Sequence, residues 1–277
     1  MADELDSDDE ESVLRGFANL PTGGTTKRPI CERCKRPSSV CLCSHLPKEL
    51  LNISTTIYIL QHPKEDSRLL TTVPILSACL PQEKCIIYRD RRYSTSDYPE
   101  LHAMMKQPNT LVLYPGPNAV NLRSIDLSAH ANFNLIVPDG TWKQASGIFH
   151  GNPFLQNATQ IVVEHNVVSE YVIRTQPTNK SLCTVEAIAL ALAPLEKNDS
   201  FIEILAAPLR ALCQYQLDHG AVVHSSKEDK LKNPELAREV EEEKTTKRRK
   251  KRRGRPRPEE VTNLEHNSED KLRIVTV

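Results

Sequence analysis

Five short runs constrain the fold of this chain more than any other feature: ISTTIYIL at 53–60, CIIY at 85–88, TLVLY at 110–114, NLIV at 134–137 and QIVV at 160–163. Each is β-branched and nearly all apolar, as expected of strands covered on both faces. Helical patterns lie between them, near 69–80, 97–106 and 141–149, and two longer ones follow near 184–193 and 200–217. Strands alternating with helices pair in parallel through right-handed crossovers. The expectation is one α/β domain with a mostly parallel sheet, over residues 48–225. In such sheets the ligand crevice lies beyond the carboxyl ends of the strands. The segments QHPKEDSR, PGPN and PDGTWKQA, each directly after a strand, therefore hold the candidate site.

The flanks differ in composition. Net charge is zero over 277 residues, but the first dozen carry seven acids and no base, whereas residues 247–253, KRRKKRR, are all basic. Residues 1–28 read as a disordered acidic lead and 226–277 as a disordered tail. The basic run suits an address read by a nuclear import receptor, so nucleus and cytoplasm are both expected. The following RGRP resembles the core of an AT-hook, which lays arginines along a narrow minor groove. No stretch offers the ~20 apolar residues of a membrane span, so no membrane partner is expected. The N-terminus lacks the apolar core of a signal peptide.

Eight cysteines in a chain without a secretion signal point to thiols or metal rather than disulfides. Cys31, Cys34, Cys41 and Cys43 fall within thirteen residues, on spacing able to surround one structural Zn²⁺ in a small module over 29–47. The pair Cys41 and Cys43 is tighter than usual, and His45 is an alternative fourth ligand. Cys79, Cys85, Cys183 and Cys213 lie on apolar runs and read as small buried hydrophobes.

At the strand ends, His62, Glu65, Asp66 and Arg68 bring an imidazole, two carboxylates and a guanidinium to a crevice position. Glu65 and Arg68 can equally share a helical turn as a local ion pair. Tyr114, Pro115 and Gly116 form a stiffened turn whose backbone can approach a ligand closely. Asp139 and Gly140 precede a helix opened by Thr141 and Trp142, the chain's only tryptophan. Asp139 can serve as an N-cap, or as an acid beside an aromatic wall. Thr184 or Ser181 can cap the next helix, with Glu186 favoured at its positive start.

Five patterns occur in order: C-x2-C-x6-C-x-C, L-x-H-P-x-E-x-x-R, L-Y-P, D-G-T-W-x-Q-A, and R-x-Q-P followed by C-T-x-E-A, together spanning 31–187. In this the chain resembles the DTW-domain family of tRNA-uridine aminocarboxypropyltransferases, with Cys183 where serine is more usual. The resemblance implies a SPOUT-like, trefoil-knotted α/β fold. It also implies S-adenosylmethionine as donor, tRNA as acceptor, and attack of uridine N3 on the donor's γ-carbon. On that reading Asp139 is the base, with Glu65 as runner-up, and Trp142 stacks on a ring. Arg68 holds a carboxylate or phosphate. His62, Tyr114, Pro115, Gly116, Gly140, Thr141, Thr184 and Glu186 line the donor pocket. Arg89, Arg91, Arg92 and Lys143 are candidates for the RNA backbone. A SPOUT-like methyltransferase and a non-catalytic nucleic-acid binder are the competing readings.

Overall fold

A computed structural model describes residues 29–68 and 70–233. The acidic lead, the basic run and the AT-hook-like motif lie outside the described residues. Six strands form one parallel sheet: β1 (Thr56–Gln61), β2 (Cys85–Arg89), β3 (Thr110–Leu113), β4 (Val120–Asn121), β5 (Asn134–Asp139) and β6 (Thr159–Val162), in the spatial order β2-β1-β5-β3-β6-β4. The α/β reading with a parallel sheet is borne out. The two-residue β4 has no counterpart among the sequence-predicted strands.

Period-two alternation puts every central strand residue in a core. Ile57, Ile59, Leu111, Leu113, Leu135, Val137 and Ile161 face one side of the sheet. There they meet helices α1 (Val73–Cys79), α5 (Thr184–Leu195) and α6 (Ser200–Asp218). Leu60, Val112 and Ile136 face the other side. They pack against α2 (Pro99–Met104), α3 (Trp142–Gly151) and Leu155 of the short α4 (Pro153–Gln156). Burial on both faces is why these strands read as unbroken apolar runs rather than alternating ones.

The cysteine module is not separate from this core. Cys34, Leu42 and Leu46 are buried in the same apolar cluster as α1 and α6. Arg33 donates to the Ala78 carbonyl, and the Tyr215 hydroxyl donates to the Cys41 carbonyl. A last helix, α7 (Lys227–Lys232), lies inside the stretch that the sequence reading assigned to the tail. No helix among the described residues is long and apolar enough to cross a membrane.

Candidate active site

The parallel register builds the site's floor. Arg89 is paired with Gln61, and Gln61 with Asp139, so the last residues of β2, β1 and β5 stand in one row. Gln61 and Asp139 are buried. Arg89 Nε donates to Gln61 Oε1 at 3.1 Å, and Gln61 Nε2 donates to Asp139 Oδ2 at 3.0 Å. A guanidinium can only donate, so it fixes which way the Gln61 amide points. That in turn presents an N–H to Asp139. The other oxygen, Oδ1, accepts from the Thr184 hydroxyl at 2.6 Å. The carboxylate is thus held from two sides, and its rotamer is set by β1 and α5 together.

The helix starts are capped differently from the sequence expectation. Thr141, not Asp139, caps α3: its hydroxyl accepts from Gln144 N, while Gln144 Oε1 accepts from Thr141 N at 2.8 Å. Cys183 occupies the cap position of α5, and Glu186 accepts from its N–H at 2.8 Å. Neither Ser181 nor Thr184 caps that helix. Thr184 is its first helical residue, which leaves the hydroxyl free for Asp139. Gly140 makes the bend between β5 and α3. Its φ is +150°, and a Cβ there would lie 2.9 Å from Gln144 Cβ.

Above this floor is a cleft of about 520 Å³. Glu65, Tyr114, Pro115, Asp139, Gly140, Thr141, Trp142 and Thr184 line it. Trp142, on the cleft lining, is 43% exposed, which is high for an indole. Glu65 is buried, and this desolvation raises its pKa above the usual carboxylate range; the nearby charges of Arg68 and Arg174 oppose the shift.

Four residues expected in the pocket have other partners and are not among its lining groups. Arg68 is bonded to Glu65 Oε1 at 2.5 Å. His62 is buried, and its Nδ1 lies 3.2 Å from both Lys64 N and Gln144 Nε2, tying the turn after β1 to the start of α3. Burial lowers its pKa, which favours the neutral ring. Gly116 packs beneath its turn, where a Cβ would come within 2.0 Å of Gln160 Oε1. Glu186 is engaged by Ser169 Oγ, Glu170 N and Cys183 N.

The sequence reading gave Gln61 no role of its own. Of residues 163–183, which carry no helix or strand, it picked out the R-x-Q-P motif at 174–177 and the approach to the next helix, but not their place on the cleft. From that stretch Tyr171, Arg174 and Lys180 reach the cleft, and Lys227 joins them from α7. Beside the R-x-Q-P motif, the available signal was length: an irregular stretch this long inside a compact domain is usually functional. Of the candidate RNA contacts, Lys143 is on the cleft wall, whereas Arg89 is bonded to Gln61 and paired with Asp66 at 3.3 Å.

Away from the cleft, the Sγ atoms of Cys31, Cys34, Cys41 and Cys43 all lie within 4.8 Å of one another. Cys31 and Cys43 are 3.4 Å apart, and Cys34 and Cys41 3.6 Å. Four sulfurs at ~2.3 Å from one Zn²⁺ are spaced closely in this way, so the donor set fits tetrahedral zinc. The backbone N–H of Cys34, the Cys43 thiol and the Arg33 N–H pull the Cys31 thiol down to about 6. His45 is outside the cluster, edge-on to the Tyr215 ring.

The DTW domain family matches residues 28–217. A protein of Macaca fascicularis named tRNA-uridine aminocarboxypropyltransferase 2 is 46% identical over 81% of this chain and 76% of its own length. The Drosophila melanogaster protein of the same name is 40% identical over 83% of this chain and 92% of its own. An Arabidopsis thaliana protein named tRNA-uridine aminocarboxypropyltransferase A is 30% identical over 69% and 81%. No solved structure matches. The chain belongs to the DTW domain family.

Proposed function

We propose that this DTW-domain chain is a tRNA-uridine aminocarboxypropyltransferase: it moves the 3-amino-3-carboxypropyl group of S-adenosylmethionine to N3 of a uridine, releasing 5′-methylthioadenosine. Relatives from a primate, a fly and a plant bear that activity in their names, and they match over most of their lengths. The observation that carries the reading is the carboxylate of Asp139, anchored by Gln61 and Thr184 at the floor of a cleft beside an exposed Trp142.

In the reaction the donor's sulfur–γ-carbon bond breaks and a bond from uridine N3 to that carbon forms. The N3 proton must leave, and the sulfonium departs as neutral thioether. Positioning decides which of the donor's carbons is attacked. Asp139 takes the proton on this reading; the bonds from Gln61 and Thr184 that fix its carboxylate and its position on the cleft lining support that role. Glu65 is the alternative acceptor. Trp142 stacks on a ring. Arg174 is the guanidinium on the cleft wall available to the donor's carboxylate. Uridine N3 lies on the Watson–Crick edge, so the target nucleotide is unpaired or flipped out.

One structural Zn²⁺ on Cys31, Cys34, Cys41 and Cys43 belongs to the same reading. So does a division between nucleus and cytoplasm, set by the basic run 247–253. Deleting 244–277 should shift the protein toward the cytoplasm in cell imaging, and an unchanged distribution removes the import role.

Mass spectrometry of tRNA nucleosides after incubation with the protein and labelled donor tests the activity. Carboxyl label in a uridine nucleoside is the expected result. Methyl label would make the protein a methyltransferase, and binding without any product would make it a non-catalytic nucleic-acid binder.

A further inference from the structure

Residues 163–183 are anchored unequally. The first half is tied into the core: Tyr171 and Ile173 are buried, Glu186 accepts from Ser169 Oγ and Glu170 N, and Arg210 from α6 pairs with Glu170 at 3.0 Å. The second half, which carries Arg174, Gln176 and Lys180 to the cleft, is held from a different direction. Lys227 N donates to the Gln176 carbonyl at 2.8 Å, and Glu228 N donates to the Pro177 carbonyl at 3.2 Å. In return Asn179 N donates to Glu228 Oε2, and Asn179 Nδ2 to Asp229 Oδ1 at 2.6 Å. Upstream, His224 N donates to the Val172 carbonyl at 2.8 Å.

A six-residue helix is too short to stand alone in water. α7 therefore exists because it is docked, with Ser226 as its buried cap accepting from Asp229 N. The docking also sorts charge. Glu228 is taken up by Lys232 and Asn179, and Asp229 by Asn179. Lys227 is left on the cleft wall with Lys143 and Lys180, all three exposed. The acids among the cleft-lining residues, Glu65 and Asp139, are both buried at its floor. The outer cleft thus has a cationic rim built from α3, the 174–180 loop and α7.

We propose that the segment 224–232 is a strap that completes the RNA-binding face of the active site. It holds the 174–180 loop in place and adds Lys227 to a rim that takes phosphates flanking the target nucleotide. The inference rests on the proposed transferase activity, which supplies an RNA acceptor. The rim alone implies only a polyanion, and phosphates spaced along a single-stranded loop match separated lysines better than one compact anion does.

The test uses the full chain, with tRNA as varied substrate and product counted by mass spectrometry. Lys227→Glu should raise the tRNA KM by roughly tenfold and make its salt dependence shallower by about one counterion, with kcat and donor KM little changed. Lys106→Glu, the same charge change after α2 and just before the start of β3, is the control for bulk charge. Truncation after Asn233 should leave the tRNA KM near that of Lys106→Glu or the parent at high salt. Truncation after Gly220 should raise it further than Lys227→Glu does. Equal effects of Lys227→Glu and Lys106→Glu would overturn the strap, as would an unchanged tRNA KM in Lys227→Glu. An inactive parent protein would instead sink the transferase reading, which separates the two failures.

Discussion

Asp139 is buried, yet it borders the cleft, and both of its oxygens are already hydrogen-bonded. Asp139→Asn should therefore cost about 10²-fold or more in single-turnover rate, because an amide cannot take the uridine proton. The size and burial are kept, so the unfolding temperature should move little. Near-normal turnover by the folded variant removes Asp139 from the base role. Gln61→Leu should lower the rate less and alter the pH profile, since it frees Asp139 Oδ2 without deleting the carboxylate. A pH-rate profile superimposable on the parent's would make Gln61 merely structural. Glu65 supplies a stability prediction with a definite sign. Burial raises its folded pKa above the ordinary 4.5, so its contribution to stability is present at low pH and lost as pH rises through the folded value. Glu65→Gln should therefore gain stability relative to the parent as pH increases above 4.5, read as a growing difference in unfolding temperature. A difference that shrinks with pH would mean that the Arg68 pair outweighs desolvation. Asp139 was legible in sequence because it ends an apolar run. The Arg89–Gln61–Asp139 row was not, because it depends on register between strands distant in the chain.

At the scale of elements, the strands and long helices were legible because burial writes itself into unbroken β-branched runs and helical periodicity. The two-residue β4 leaves no such pattern, and Val120–Asn121 pairs only by lying beside β6. Caps were read one or two residues off. Thr141 and Cys183 compete with neighbours of similar chemistry, and only backbone direction separates them. The turn after β3 was read as a place of close backbone approach, and the approach is real but faces inward. A Cβ at Gly116 would meet Gln160 Oε1 at 2.0 Å and Phe149 Cζ at 2.9 Å. Gln160 cannot swing away easily, since it is buried and its Nε2 is bonded to the Gln156 carbonyl at 2.8 Å. Gly116→Ala should cost about 1–3 kcal/mol by overpacking. It should also displace Tyr114 and Pro115, raising the donor KM. Denaturant unfolding and donor titration check both parts, and a neutral result on stability would show that the turn relaxes freely.

Among the described residues, the cysteine module shares one apolar core with the sheet and its helices. The spacing of Cys31, Cys34, Cys41 and Cys43 was enough to foresee a cluster. It could not show that Cys34, Leu42 and Leu46 share a core with α1 and α6, because that contact joins residues far apart in sequence. The consequence is a specific prediction for metal loss. Zinc binding supplies folding free energy to a unit too small to form a core of its own. Here the unit also covers apolar surface of the main domain, so losing the ion should uncover that surface as well. Cys41→Ser changes a proposed ligand at a half-buried thiol packed at the edge of the core, so it disturbs core packing less than a change at the buried Cys34 would. The reduced parent protein should contain one zinc per chain, and Cys41→Ser should contain none or bind it far more weakly. Calorimetry should then show the main unfolding transition moved to lower temperature as a single event, not a separate low-temperature step for the module alone. Turnover at saturating substrates should fall only in proportion to the folded fraction, because none of the four cysteines lines the cleft. A zinc-free parent would refute the metal site. Two resolved transitions would show that the module folds independently of the sheet it rests on.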